Sequence, residues 1–405
     1  MRDFNAVIVG AGMAGLASAL KCQENGLECV IVERSSRVGG KVGSIYNEDF
    51  IFDLGFQVYN TSYSITNSIL DLNKINLKQF KPGAMIHFNE KSCIITDPLR
   101  DMRYLFSTIF SGITNLSDKI KILSLKRSLR DYSIENDTGP DQETIVFLEK
   151  FGFSEKMIEL FFRPFFAGIF LEKKLKTSAK FFKFVFSKFN SGLATLPEYG
   201  MQAIPNSIAE NISSDRILLN NEVIGLKNNI ISLKNGQTMS ADYFILTGGS
   251  RSIGSYRDPE YNFVKTLYFS STDEPPHGKY IHLFPQDSLI NNVAFPSAIS
   301  KHYSKNDGHL LSVTVLSKSL KKTELIKNIM QRLSKYFKNG KNCYRFLEYM
   351  DIKEATIKQF PKFFKSKNIL NDSIVYAGDY TRNGSIEGAV ESGIRAVDEI
   401  KNQME

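Results

Sequence analysis

The chain has 405 residues, a formal net charge of +8, 42% hydrophobic and 23% charged residues, and four cysteines. This is ordinary globular composition, which excludes disordered, collagen-like and low-complexity chains; the length suits two to three domains or one large interleaved α/β enzyme. The positive balance suits anionic substrates, an acidic membrane surface or nucleic acid without choosing among them, and the absence of Cys-x-x-Cys and His-Glu-x-x-His speaks against a metal site.

The chain runs almost directly into a first strand, without the pattern of a signal peptide. No apolar stretch reaches the roughly 18 residues of a membrane span; the longest uncharged run is Tyr104–Ser117. With four unpatterned cysteines the expectation is a cytoplasmic protein, and peripheral membrane association stays open.

Ala6–Val9 reads as a buried parallel strand. Gly10-Ala-Gly12-Met-Ala14-Gly15 follows and opens a helix, and Cys29–Val32 is a second strand ending at Glu33. Strand, glycine turn, helix, strand and terminal acid together form a dinucleotide-binding unit of Rossmann type. The glycines permit a tight turn and close backbone approach to pyrophosphate; the helix N-terminus offers free N–H groups. Glu33 is placed to accept the hydroxyls of the adenosine ribose. These residues alone do not separate FAD from NAD.

The next segment does more. Glu33-Arg34-Ser-Ser-Arg37-Val-Gly39-Gly40-Lys41 resembles the second motif of the flavin amine oxidase superfamily, which includes monoamine and polyamine oxidases, protoporphyrinogen oxidase and phytoene desaturases. The resemblance implies that Glu33, Arg34, Arg37, Gly39, Gly40 and Lys41 run along the FAD diphosphate. Lys41 stands where Arg is usual and keeps the charge without the bidentate fork. The bland reading of Arg37 and Lys41 is solvated loop charge. Asp53-Leu-Gly55-Phe56-Gln57 resembles the segment that approaches the flavin in that family.

Residues 150–190 carry nine basic and three acidic residues and are rich in Phe. On a helix, Phe181, Phe182, Val185, Phe186 and Phe189 share one face, with Lys176, Lys180, Lys183, Lys188 and Phe184 on the other. This fits an amphipathic helix against the core, or membrane docking or an apolar substrate entrance through 161–189. No nucleic-acid module is visible, so no nucleic-acid partner is expected.

Arg216–Gly249 reads as strand, Asn235-Gly236 turn and strand. By resemblance, Val223 touches the adenine through its backbone. In Asn262–Phe269, Lys265 matches a lysine that holds a water against flavin N5 in many amine oxidases; a solvent-facing strand lysine is the equal alternative. At the far end, Ile374–Asp379 is a strand closing on Gly378-Asp379, and Gly384-Ser385-Ile-Glu387-Gly388-Ala389 opens the last helix. This resembles the superfamily's C-terminal FAD motif. It implies Asp379 at the ribityl chain or pyrophosphate, and a helix N-terminus at the flavin pyrimidine through Ser385, Glu387, Gly388 and Ala389. Ser385 replaces the tyrosine of the monoamine oxidase aromatic cage. Ala355 lies near the position where some members attach flavin to cysteine, so noncovalent FAD is expected.

The expected fold class is α/β. A discontinuous Rossmann-like FAD-binding domain (1–75, 197–260 and 365–405) is interleaved with an α+β substrate domain (76–196 and 261–364). The expected function is an FAD-dependent oxidoreductase that oxidises or desaturates a small apolar substrate, polyene- or isoprenoid-like, by hydride transfer to flavin N5. Alternatives are an amine or porphyrinogen oxidase using oxygen, a redox-neutral isomerase, a flavin-containing binding protein without turnover and, against the C-terminal motif, an NAD enzyme. Oligomeric state stays open.

Overall fold

The computed structural model describes residues 3–95, 115–254, 259–305, 308–318, 320–338, 343–365, 370–371 and 373–404. Of the uncharged run Tyr104–Ser117, only Asn115–Ser117 fall within them. No described helix is long and apolar enough to cross a membrane.

Two sheets organise the chain. The first has eight strands. Ile217–Leu218, Cys29–Val32, Phe4–Val9, Thr238–Thr247 and Ile374–Ala377 lie parallel in that spatial order. Val223–Lys227 and Ile230–Leu233 extend it antiparallel beside Thr238–Thr247, and Leu370–Asn371 pairs antiparallel with Ile374–Ala377. The short, continuous apolar runs Ala6–Val9 and Cys29–Val32 are buried throughout, because a parallel sheet is covered on both faces. The first helix (Met13–Glu24) crosses between these two strands and packs against the last helix (Ile386–Met404). Glycine permits that contact: a Cβ at Gly393 would lie 2.1 Å from the Ala14 carbonyl oxygen. Ser18 Oγ seals it by donating to the carbonyls of Ala14 and Gly393.

The second sheet has seven strands in the order Tyr344–Ile357, Tyr261–Ser271, His309–Val315, Ile290–Ala294, Ile281–Leu283, Ala84–Phe88 and Lys91–Ile95. Leu325, Ile329, Leu333 and Phe337, spaced by four on the helix Lys322–Phe337, cover one face together with Leu267, Phe269, Val313 and Val315. The other face turns towards the hairpin of Ser44–Tyr46 and Ile51–Asp53: Tyr268 donates to the Asp53 carbonyl at 2.8 Å and packs on Phe52. A small three-stranded sheet of Tyr59–Asn60, Ala194–Pro197 and Leu77–Gln79 links the two parts.

A helical lobe holds the Phe-rich stretch. Phe162, Phe166, Phe170, Phe181 and Phe182 are its core, with ring centroids as close as 4.6 Å between Phe166 and Phe182. Phe184, expected among the lysines, is buried too. The lysines turn to partners of the lobe itself: Lys183 pairs with Asp137 at 2.9 Å, and Lys188 donates to the Ser62 carbonyl. Among the described residues, no large apolar side chain of 161–189 is strongly exposed. The reading that fits is the helix against the core.

Candidate functional site

The glycine turn is built by close approach. Gly10 has φ +106°, and a Cβ there would meet Thr247 Oγ1 at 2.4 Å. At Gly15 a Cβ would lie 1.9 Å from the Gly10 carbonyl oxygen, so only glycine lets the first helix start this near the strand. Gly12 is different. It has an ordinary φ of −70° and open space where a Cβ would go, and it starts the helix without a side-chain cap. Uncapped N–H groups beside open space make an anion cradle. Ala14 is buried beneath the last helix and serves packing.

Glu33 accepts from the Ala11 N–H at 2.7 Å and from the Ser35 N–H at 2.8 Å. Its carboxylate thus shapes the turn, and the remaining lone pairs are what it has for a ribose. Gly39 and Gly40 fold back on the turn: Gly39 N–H donates to the Ala11 carbonyl at 2.7 Å, and a Cβ on Gly40 would lie 3.2 Å from Gly12 Cα. Arg37 organises this loop by donating to the carbonyls of Val38 and Gly40 and to Gln202 Oε1 at 3.1 Å. It is not a loose surface charge. Arg34, expected in the cradle, is exposed. The strand end at Glu33 is zipped to Leu218–Asn221, which leads into the half-buried Val223.

Lys41 joins the two ends of the chain. Its Nζ pairs with Asp379 Oδ2 at 3.1 Å and stands over the Tyr261 ring. Gly378 is held by Ser392, whose Oγ accepts its N–H at 2.8 Å. Ser385 caps the last helix: its Oγ accepts from the Gly388 N–H at 2.9 Å and donates to Asn383. Ala389 N–H closes the first turn on the Ser385 carbonyl. The N–H groups of Ile386 and Glu387 find no acceptor among the described residues. A Cβ at Gly388 would strike the Asn383 carbonyl at 2.5 Å. The expectation for Glu387 needs correction. Its buried carboxylate accepts from Ile65 N–H, Thr66 N–H and Thr66 Oγ1, at 2.7 to 3.0 Å. It ties segment 64–67 to the last helix and does not face the cradle.

Between these motifs lies Asp53–Gln57. Asp53 is buried, and burial pushes its carboxyl up to about 6. Opposing that, Ser44 Oγ, Met201 N–H and Tyr303 OH all donate to it within 2.9 Å. Gly55 has φ +86°, and a Cβ there would sit 3.1 Å from Ile352 and 3.7 Å from Thr266 Oγ1. Phe56 packs edge-on against Phe80. Gln57 Nε2 donates to the carbonyls of Lys41 and Leu54, while its Oε1 is buried without a partner.

Lys265 stands on the wrong face for the expected role. It pairs across the sheet with Val315 and alternates with Thr266. Neighbours on a strand point to opposite faces, so Lys265 shares the face of Leu267 and Val315, under the helix Lys322–Phe337. Thr266 faces Gly55 instead. Its Oγ1 is buried without a hydrogen bond, as are Thr314 Oγ1 and Asn292 Nδ2 in register across the next two strands. Nothing in the sequence singled out this row, because Thr and Asn in strands are common and their shared face is set by strand order.

The profile of the family described as Flavin containing amine oxidoreductase matches residues 13–401. The chain is 26% identical to a 4,4'-diapophytoene desaturase (4,4'-diaponeurosporene-forming) of Staphylococcus aureus over 115 residues, 27% of this chain and 23% of the relative. It is 26% identical to Protoporphyrinogen oxidase 2, chloroplastic/mitochondrial, of Arabidopsis thaliana over 165 residues, 40% of this chain and 31% of the relative. These matches thus span less than a third of either relative's length. The fold is that of Cyclohexylamine Oxidase from Brevibacterium oxydans, with a TM-score of 0.73 at 15% identity over 99% of both chains.

Proposed function

Because the chain belongs to the flavin containing amine oxidoreductase family, we propose that it is an FAD-dependent oxidoreductase acting on a small apolar substrate of polyene or isoprenoid type. The observation that carries the reading is the Lys41–Asp379 ion pair, which joins the two terminal motifs. The cradle suits a dinucleotide: Gly12 leaves open space beside an uncapped helix start, and Gln57 Oε1 lacks a partner. Ser385 in place of a cage tyrosine supports the apolar class, as does similarity to a desaturase. A second reading, an amine or porphyrinogen oxidised with oxygen, is favoured by the unpartnered row Thr266, Thr314 and Asn292, which suits a substrate with hydrogen-bonding groups. In either case 1–75, 197–260 and 365–405 form the cofactor domain and 76–196 and 261–364 the substrate domain.

Bound FAD would supply the hydride acceptor, held without a covalent link. The protein's part is binding, orientation and electrostatics. Lys41 and the first helix's N-terminus attract the diphosphate. The open N–H groups of Ile386 and Glu387 favour negative charge on whatever lies against them. Glu33 and Arg37 keep the two glycine loops in register. Four cysteines, none bridged among the described residues, suit a cytoplasmic setting.

Anaerobic mixing with substrate tests the class. A long apolar polyene is expected to bleach the flavin band near about 450 nm, with primary amines inert; bleaching by amines alone would reverse the assignment. The same assay separates the two strand neighbours. With a substrate that carries hydrogen-bonding groups, as in the second reading, Thr266→Val is expected to slow bleaching about tenfold, the worth of one hydrogen bond at about 1.4 kcal/mol. Lys265→Met is expected to stay within about twofold, since its side chain is on the far face. The reverse ranking would restore the role first expected of Lys265.

A further inference from the structure

The helix Leu116–Ser128 carries apolar residues on two opposite faces, and the described residues pack against only one. Ile122, Leu125 and, just past its end, Leu129 pack into the Phe-rich core. Asp118 accepts from Ser154 N–H and Ser154 Oγ at 2.9 and 2.7 Å, Lys121 Nζ donates to the Gly152 carbonyl, and Asn190 donates to the Lys126 carbonyl. These contacts fix the rotation of the helix. Leu116, Ile120 and Leu123 are thereby committed to the outer face, 75%, 60% and 48% exposed. At 100° per residue they lie within about 60° of one another.

The charge around this stripe is mainly positive. Lys119, Lys121, Lys126, Arg127 and Arg130 lie on or next to the helix, against Asp131 just past its end and Asp118, which is buried against Ser154. Arg127 continues the apolar row one turn beyond Leu123. Three aliphatic side chains cover far less than the roughly 800 Å² that each partner of a standard protein interface buries. A narrow apolar stripe in a basic field matches an anionic bilayer: the aliphatic tips enter the headgroup–acyl boundary and the cations meet lipid phosphates.

We infer that the outer face of helix Leu116–Ser128 docks the protein on an anionic lipid surface. The contact is separate from 161–189, whose phenylalanines fill the lobe behind this helix, and it does not depend on which substrate is oxidised. The experiment is vesicle co-sedimentation of the full-length protein with phosphatidylcholine, with and without phosphatidylglycerol. Binding is expected only with the anionic lipid. The triple variant Leu116→Ser, Ile120→Ser, Leu123→Ser is expected to lose about tenfold or more of it, with its melting temperature unchanged. Arg127→Glu is expected to weaken binding and its sensitivity to salt. Absence of wild-type binding overturns the inference. So does a triple variant that changes sedimenting mass, which makes the face a contact between copies. A triple variant that melts earlier overturns it as well, because the chain itself then covers the face.

Discussion

Gly12→Ala should leave the protein folded and weaken its hold on flavin. Gly12 has φ −70° and nothing within 4 Å of the position of a Cβ. Alanine therefore meets no steric obstacle; the loss of about 1 kcal/mol expected for alanine at an N-cap is offset in part by its restriction of the unfolded state. The new methyl stands in the open space beside the uncapped helix start, where a diphosphate would lie against the backbone. Flavin affinity should drop about a hundredfold, roughly 2.7 kcal/mol. Gly15→Ala is the contrast. Its methyl would collide with the Gly10 backbone at 1.9 Å, and no flexible side chain is there to yield. That variant should lose both flavin and stability. Flavin titration of each apoprotein, beside its melting temperature, checks the pair. Wild-type affinity in Gly12→Ala would mean that the open space is not the diphosphate site.

The second large effect is expected at Asp53, in the stability of the protein against pH. Burial raises its carboxyl from 3.8 to about 6. A carboxyl raised by folding favours the protonated native state. Its contribution is complete below the unfolded value, near pH 4, and is lost as pH climbs through 6. The loss is on the order of 3 kcal/mol. Asn carries no charge to desolvate, and it can still accept from Ser44 and Met201 and donate to Tyr303. Asp53→Asn should therefore match the wild type near pH 4 and exceed it by about 2–3 kcal/mol at pH 7. The buried pair His87 and His282, in contact at 3.0 Å, slopes the other way. Burial pushes these imidazoles down to about 4 and about 3, so their contribution is present above the unfolded value and fades as pH falls. Urea unfolding of both proteins across pH 4–7 cancels the histidine part in the difference. A flat difference would show that the bonds from Ser44, Met201 and Tyr303 already compensate the buried charge.

What the sequence revealed and what it hid divide along a physical line. The turn Gly10–Gly15, the strand ending at Glu33 and the cap at Ser385 are backbone features, dictated locally by glycine conformation, apolar runs and capping chemistry. They could be read residue by residue, and the discontinuous α/β fold followed from motifs lying at both ends of the chain. Side-chain partners were harder, because they are made across hundreds of residues. Glu387 meets Thr66 and Arg37 meets Gln202, and no periodicity announces either. Lys265 was misplaced because alternation fixes only that it opposes Thr266. Which of the two turns inward is decided by Tyr268 bonding Asp53 and by the helix that covers Leu267. The Phe-rich helix was ambiguous for another reason. Phe184 is buried on the same side of the wheel as lysines whose ammonium groups reach out to Asp137 and Ser62, so its pattern is not a simple two-faced one. The stripe on Leu116–Ser128 drew no attention because its two apolar faces cancel in any helical average.

The central claim is that both termini build one noncovalent flavin cradle, and an absorption spectrum of the purified protein before and after acid precipitation tests it most directly. The account predicts bands near about 380 and 450 nm that pass entirely into the supernatant. A colourless protein that FAD cannot reconstitute would contradict it. Yellow colour retained in the pellet would contradict the noncovalent link.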